Sequence, residues 1–113
     1  MRSDQDRLGD IIEAIAKIQE RTGAGEDAFR TDEMLQVWVI HHLQVIGEAA
    51  RGLSGEFRDL HPAVRWAQLV ALRNILVHEY FGLNLHQVWM MVCKELPKLS
   101  AQIQQIRLRR LEN

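Results

Sequence analysis

The sequence holds a single cysteine, Cys93, so no disulfide can form within the chain. Cys93 lies in the apolar run WMMVCKEL, which predicts a buried free thiol. No apolar run approaches the ~20 residues that a membrane span needs. The N-terminal MRSDQDRLGD is polar and carries no apolar signal-peptide core. Together these absences predict a soluble, cytoplasmic protein. There is no Gly-rich phosphate loop and no nucleophile elbow. The five histidines, at positions 41, 42, 61, 78 and 86, show no compact metal-ligand spacing. No metal and no cofactor is therefore expected. Internal repeats, low-complexity segments and long linkers are also missing.

What is present reads as one all-α domain spanning residues 1–113. The composition, 47% hydrophobic and 26% charged, argues against disorder. Leu8, Ile11, Ile12, Ile15 and Ile18 recur at helical steps, and Thr22-Gly23-Ala24-Gly25 closes that helix. A loop is predicted up to Arg30, with Thr31 as N-cap of a second helix carrying Leu35, Val39, Leu43, Ile46 and Ala50. Gly52 to Gly55 end it. His61-Pro62 predicts the next start, because proline suits a first helical turn. The third helix carries Trp66, Leu69, Val70, Leu72, Leu76 and Val77, up to Gly82. Asn84 followed by Gln87 resembles a capping box, so a fourth helix is predicted from Leu85. Its apolar face includes Val88, Trp89, Val92, Leu96, Leu99, Ile103 and Ile106, and Pro97 should kink or break it near Leu96. The short β-branched run VWVI falls inside a helical period. Trp38, Trp66 and Trp89 are expected in the core rather than as base-stacking platforms. Four main helices with short connections imply an antiparallel bundle.

Charge is uneven along the chain. Residues 1–60 carry seven Lys/Arg and twelve Asp/Glu, while residues 61–113 carry seven and three. A basic half favours a phosphate-bearing partner, and a solvated helix face explains it equally simply. Within the basic half lies LRNILVHEYFG, residues 72–82. Leu72, Ile75, Leu76, Val77 and Phe81 are predicted core, yet Arg73, His78 and Tyr80 are interleaved with them. At about 100° per residue, Arg73 and Tyr80 share one face, and Asn74 and His78 share another. Arg73 and His78 point about 140° apart on an ideal helix. They reach one phosphate only if the helix ends near His78 or a second copy packs alongside. An imidazole can move the 2′-hydroxyl proton of RNA, and a guanidinium can stabilise the crowded phosphate. Asn74 would orient either group, and Tyr80 would bind a base, hold a phosphate or accept a nucleotidyl group. The structural alternative pairs Arg73 with a carboxylate, caps the helix with His78 and packs Tyr80.

The pattern Arg73-x4-His78-x-Tyr80 resembles the R-x4-H-x-Y signature of HepT-like toxins in the HEPN superfamily. The flanks RWAQLVALRNILVHEYFGLNLHQVW, LPKLSAQI and LQVIGEAARGLS resemble that family in the same order. The resemblance implies a HEPN-like bundle of four main helices and a homodimer with the motif helices at a shared cleft. It implies a metal-independent endoribonuclease acting on RNA. The implied partner is a minimal nucleotidyltransferase (MntA-like) antitoxin that AMPylates the motif tyrosine. Carried onto this chain, Arg73 and His78 are catalytic, Asn74 is supporting and Tyr80 is the AMP acceptor. Added phosphates beside Arg73 would compete with the RNA backbone.

One departure is His41-His42, where the family often shows charged residues. The pair either adds to an RNA-binding face or is local surface variation. Glu48 is expected to face the motif helix and to pair with Arg73 or Arg51. Arg107, Arg109 and Arg110 are read as a solvated tail that would otherwise touch RNA or the antitoxin. The rival reading is a non-catalytic HEPN module that binds nucleotide, nucleic acid or a partner, and a structural helical dimer is a third.

Overall fold

A computed structural model describes residues 2–79 and 82–112, with side chains to residue 110. Its elements, among the described residues, are all helical. Helix α1 is Asp4–Arg21, α2 is Glu26–Thr31, α3 is Glu33–Gly52 and α4 is Gly55–Leu60. The motif helix α5 is Trp66–His78. Helix α6, Leu85–Met90, runs through a π-helical turn, Met91–Glu95, into α7, Leu96–Glu112. The all-α bundle expected from the sequence is therefore present, with α1, α3, α5 and the α6–α7 rod as its main helices. No helix among the described residues is long and apolar enough to cross a membrane.

Helix starts follow from capping groups. Ser3 and Asp6 form a reciprocal capping box on α1, each side chain accepting the other's backbone N–H at 3.0 Å. The Asn84 side chain accepts from Gln87 N–H at 3.1 Å, so α6 begins at Leu85 as the sequence predicts. The cap of α3 is Asp32, accepting from Leu35 N–H, and not Thr31. Thr31 instead donates to the Asp27 carbonyl and closes α2. That short helix replaces the predicted loop. Phe29 anchors it, fully buried with its ring 5.5 Å from that of Trp89. A second unpredicted helix, α4, is capped by Ser54. Pro62 does not open α5. It occupies the second position of a turn closed by Val64 N–H to His61 O, where its fixed φ fits as well as in a helix.

The predicted core is largely buried: Leu8, Ile11, Ile15 and Ile18 on α1, Val39, Leu43, Ile46 and Ala50 on α3, and Trp66, Leu69 and Leu76 on α5. From the last rod come Val88, Trp89, Val92, Leu96, Leu99, Ile103 and Ile106. Trp38 is half-buried, donates to the Lys17 carbonyl at 3.1 Å and lies under the Arg21 guanidinium. Two expectations fail on α5, where Ile75 and Val77 remain 47% and 42% exposed. Phe81 lies outside the described residues. Cys93 is exposed rather than buried. It sits in the π-turn, where Leu96 N–H reaches back to Met91 O and the wider turn shifts the helical register. Pro97 falls just past that turn, so the expected discontinuity near Leu96 takes this form.

Helix α3 lies between α1 and α5 and packs on both. Its approach to α5 depends on Gly47. A Cβ there would overlap Arg73 Cβ and lie 2.8 Å from the Leu69 carbonyl oxygen. The helices therefore touch backbone to side-chain stem at this point. Gly47→Ala should push them apart and destabilise the protein by about 1–3 kcal/mol despite the better helix propensity of alanine. Urea unfolding of both proteins measures this, and an unchanged or raised midpoint would show that no such close contact exists.

Candidate functional site

The motif arginine projects from the middle of α5 towards α3. Its side chain is 24% exposed, with the stem against Gly47 and the head at the surface. Arg73 Nε forms an ion pair with Glu48 Oε2 at 2.9 Å, and Nη1 donates to Asn74 Oδ1 at 3.1 Å. Of the two carboxylate pairings that the sequence allowed for Glu48, the structure thus has the one with Arg73. Asn74 stands beside the arginine and accepts its Nη1–H. Neither of these contacts uses Nη2.

His78 is the last residue of α5 and is exposed. The helix turns out of register immediately afterwards, where Glu79 N–H closes on Ile75 O at φ −124° and ψ 31°. One of the two conditions for Arg73 and His78 to meet on a phosphate is therefore met. No hydrogen bond joins the two side chains among the described residues. Tyr80 lies outside the described residues. On the α3 side, Gln44 Nε2 donates to the Leu76 carbonyl at 3.4 Å, in the turn that carries His78. Gln44 was missed by sequence reasoning. The signal available was Gly47, a glycine inside a helical run that marks a close approach, flanked on one helix face by Gln44 and Glu48.

The face of α5 that holds Asn74 and His78 is apolar around these polar groups. Ala67, Ala71, Asn74, Ile75 and His78 are all exposed and fall at helical spacing on one side. The basic tail residues Arg107, Arg109 and Arg110 are exposed on α7.

His41 and His42 belong elsewhere. They line an open cavity of about 190 Å³ between α1 and α3, with Asp10, Glu13, Lys17 and Val45. His41 is exposed, but His42 is buried, which corrects the reading of the pair as surface variation. The His42 ring packs edge-on against Trp38 with centroids 4.5 Å apart, and its Nε2 has no partner among the described residues. Burial lowers the His42 pKa, and the neighbouring His41 and Lys17 push the same way while Glu13 opposes them. A small apolar cavity of about 70 Å³, lined by Val64, Leu69, Met91, Leu96 and Leu99, opens at the far end of α5 from His78. No group of three His, Cys, Asp or Glu among the described residues is placed to hold an ion.

A family model described as ribonuclease HepT-like matches residues 11–106. The chain is 37% identical over 108 residues to a protein of Thermococcus cleftensis named "Probable ribonuclease HepT", covering 94% of this chain and 97% of that one. It is 36% identical over 98 residues to a protein of Methanocaldococcus jannaschii named as a "Putative RNase", covering 86% and 90%. A protein of Caldanaerobacter subterraneus, also named as a "Putative RNase", is 34% identical over 107 residues, covering 94% and 96%. No solved structure gives a significant match.

The neutral state of His42 makes a pH prediction. The unfolded chain takes up a proton at this residue below about pH 6.5, and the folded protein does so only at lower pH. The stability contributed is complete above that value and is lost as pH falls towards the folded pKa. Melting temperatures from pH 7.5 to 5.5 should therefore fall more steeply for wild type than for His42→Phe. Parallel curves would remove His42 as the cause.

Proposed function

The chain belongs to the HepT-like ribonuclease family, and we propose that it is a metal-independent RNA endonuclease toxin of a toxin–antitoxin system. Arg73 and His78 are the catalytic residues in this reading, and Asn74 supports the arginine. The observation that carries it is the preset Arg73 head, held by Asn74 beside an exposed helix end bearing His78. RNA supplies its own nucleophile. The 2′-oxygen attacks the adjacent phosphorus as the bond to the 5′-oxygen of the next nucleotide breaks. One imidazole takes the 2′-hydroxyl proton, and a second protonates the departing 5′-oxygen. Negative charge builds on the non-bridging oxygens, where a guanidinium stabilises it. The products are a 2′,3′-cyclic phosphate and a 5′-hydroxyl. These steps need proton transfer and charge stabilisation, which a histidine and an arginine supply.

The two imidazoles come from two copies of the chain. Ile75, exposed on the side of α5 that carries Ala67, Ala71 and His78, favours a homodimer in which these α5 faces meet. Arg73 and His78 diverge on one helix, and a two-fold partner brings the second set to the same cleft. The toxin acts in the cytoplasm. Its antidote is a minimal nucleotidyltransferase (MntA-like) antitoxin that transfers AMP to Tyr80. An added phosphate that reaches Arg73 would occupy the arginine and repel the RNA backbone.

Purified protein, free of its partner and checked by intact mass, should cleave RNA in EDTA. His78→Ala should lower the rate about 10²–10⁴-fold while leaving the fold intact. No cleavage of bulk RNA or tRNA by the unmodified wild type would favour the non-catalytic binding module, and retained activity in His78→Ala would remove that residue from the mechanism. Coexpression with the nucleotidyltransferase should add AMP mass to wild type but not to Tyr80→Phe. Equal modification of both proteins would place the acceptor elsewhere.

A further inference from the structure

We propose that Glu48 is a positioning residue for catalysis: through its ion pair with Arg73 Nε it fixes the direction of the guanidinium that receives the RNA phosphate. The inference rests on the ribonuclease reading of this site. Glu48 lies outside the motif and on a different helix, α3, and it reaches Arg73 Nε at 2.9 Å.

An arginine side chain has several free torsions, and a surface guanidinium ordinarily samples many orientations. Here three contacts remove that freedom. Gly47 leaves room for the stem to lie against α3. Glu48 holds the inner edge of the head at Nε, and Asn74 holds one Nη1 hydrogen. Those two contacts, an ion pair at Nε and a hydrogen bond from Nη1, leave Nη2 out. The outer end, which carries Nη2, is the part of the fork that a phosphate can meet with two oxygens. Glu48 therefore aims the arginine rather than occupying its phosphate-binding end.

The charge on Glu48 is a cost to substrate binding, because a carboxylate beside the arginine repels RNA phosphate. Its contribution to stability is small, since the Glu48 side chain is 54% exposed and such pairs add little. A group that weakens binding and barely stabilises the fold is accounted for by its effect on orientation. Misplacing a reacting group by about 1 Å costs on the order of 100-fold in rate.

The test compares Glu48→Ala and Glu48→Gln with wild type, both alone and on an Arg73→Lys background. Glutamine keeps the size of the side chain and an oxygen at the place that faces Nε, and it removes the charge. Glu48→Ala should lower kcat about 10–100-fold with KM unchanged or reduced, and Glu48→Gln should restore most of kcat. Lysine has no Nε–H fork, so Glu48→Ala should add no further loss in the Arg73→Lys protein. Wild-type kcat in Glu48→Ala, an equal loss in Glu48→Gln, or additive losses with Arg73→Lys would each overturn the assignment. The second readout is independent of activity. The Arg73 Nε–H proton should give a distinct, slowly exchanging NMR signal in wild type and Glu48→Gln, lost in Glu48→Ala. A fast-exchanging wild-type signal overturns the positioning role. Intact signals in a wild type that cleaves no RNA overturn the ribonuclease reading alone, because the aimed guanidinium survives that result.

Discussion

The structure turns on the contact between α3 and α5 at Gly47. Two helices carrying ordinary side chains at the crossing stay about 8–10 Å apart. With no Cβ at Gly47, the Arg73 stem lies directly against the α3 backbone. Everything placed at the candidate site follows from that proximity. Glu48, the next residue along α3, is near enough to reach Arg73 Nε, and Gln44, one turn earlier, is near enough to reach the Leu76 carbonyl. The same helix packs its other side on α1, where Trp38 bonds to Lys17 and His42 is enclosed. A change in how α3 sits would thus move the core packing and the arginine together.

Two polar places in this small bundle differ in chemistry. On the α3–α5 side, Arg73 is charged, partly exposed, ion-paired at Nε and hydrogen-bonded at Nη1. On the α1–α3 side, His42 is buried and its burial favours the neutral ring. A buried imidazole without a partner costs stability, yet it leaves the surface charge around the motif unaffected. His42 accordingly belongs to the packing of α3 on α1, and the exposed His41 lines the same open cavity on that side.

Long periodic helices were legible in the sequence because burial repeats there at a constant step. The α1 face Leu8, Ile11, Ile15 and Ile18 and the α7 face Leu99, Ile103 and Ile106 are buried as the period requires. Three kinds of feature were not legible. Helix α5 is apolar on nearly every side, so its composition cannot say that Trp66, Leu69 and Leu76 go inward while Ile75 and Val77 stay out. Cys93 follows Trp89 by four residues and precedes Leu96 by three, which is the buried face of a regular α-helix. The π-turn breaks that register and turns the thiol outward. Pro62 and Thr31 carry signals that two structures share: a proline fits a turn or a first helical turn, and a threonine next to an aspartate leaves the cap ambiguous by one residue. At the candidate site, the motif spacing pointed to Arg73, Asn74 and His78, and Glu48, expected to face the motif helix, pairs with Arg73. Gln44 was harder to see because its bond is to a backbone carbonyl, which no residue type announces, and only the neighbouring Gly47 marks the close approach.

The divergence of Arg73 and His78 decides what one protomer can do alone. Five residues apart on a helix, they point about 140° from each other. The arginine is further committed to the α3 side by Glu48 and Gly47, so it cannot swing round the helix to meet the imidazole. A phosphate touching both groups of one protomer has to sit past the end of α5, with its oxygens facing back along the helix. The 5′-oxygen must leave opposite the attacking 2′-oxygen, and a lone His78 can stand near one of them but not both. In the proposed ribonuclease reading, a second copy docked on the exposed side of α5 that carries Ala71, Ile75 and His78 removes that difficulty, since its His78 approaches from the other side. The exposed Ile75 and the geometry that in-line cleavage requires then favour the same arrangement, a second motif helix across the cleft.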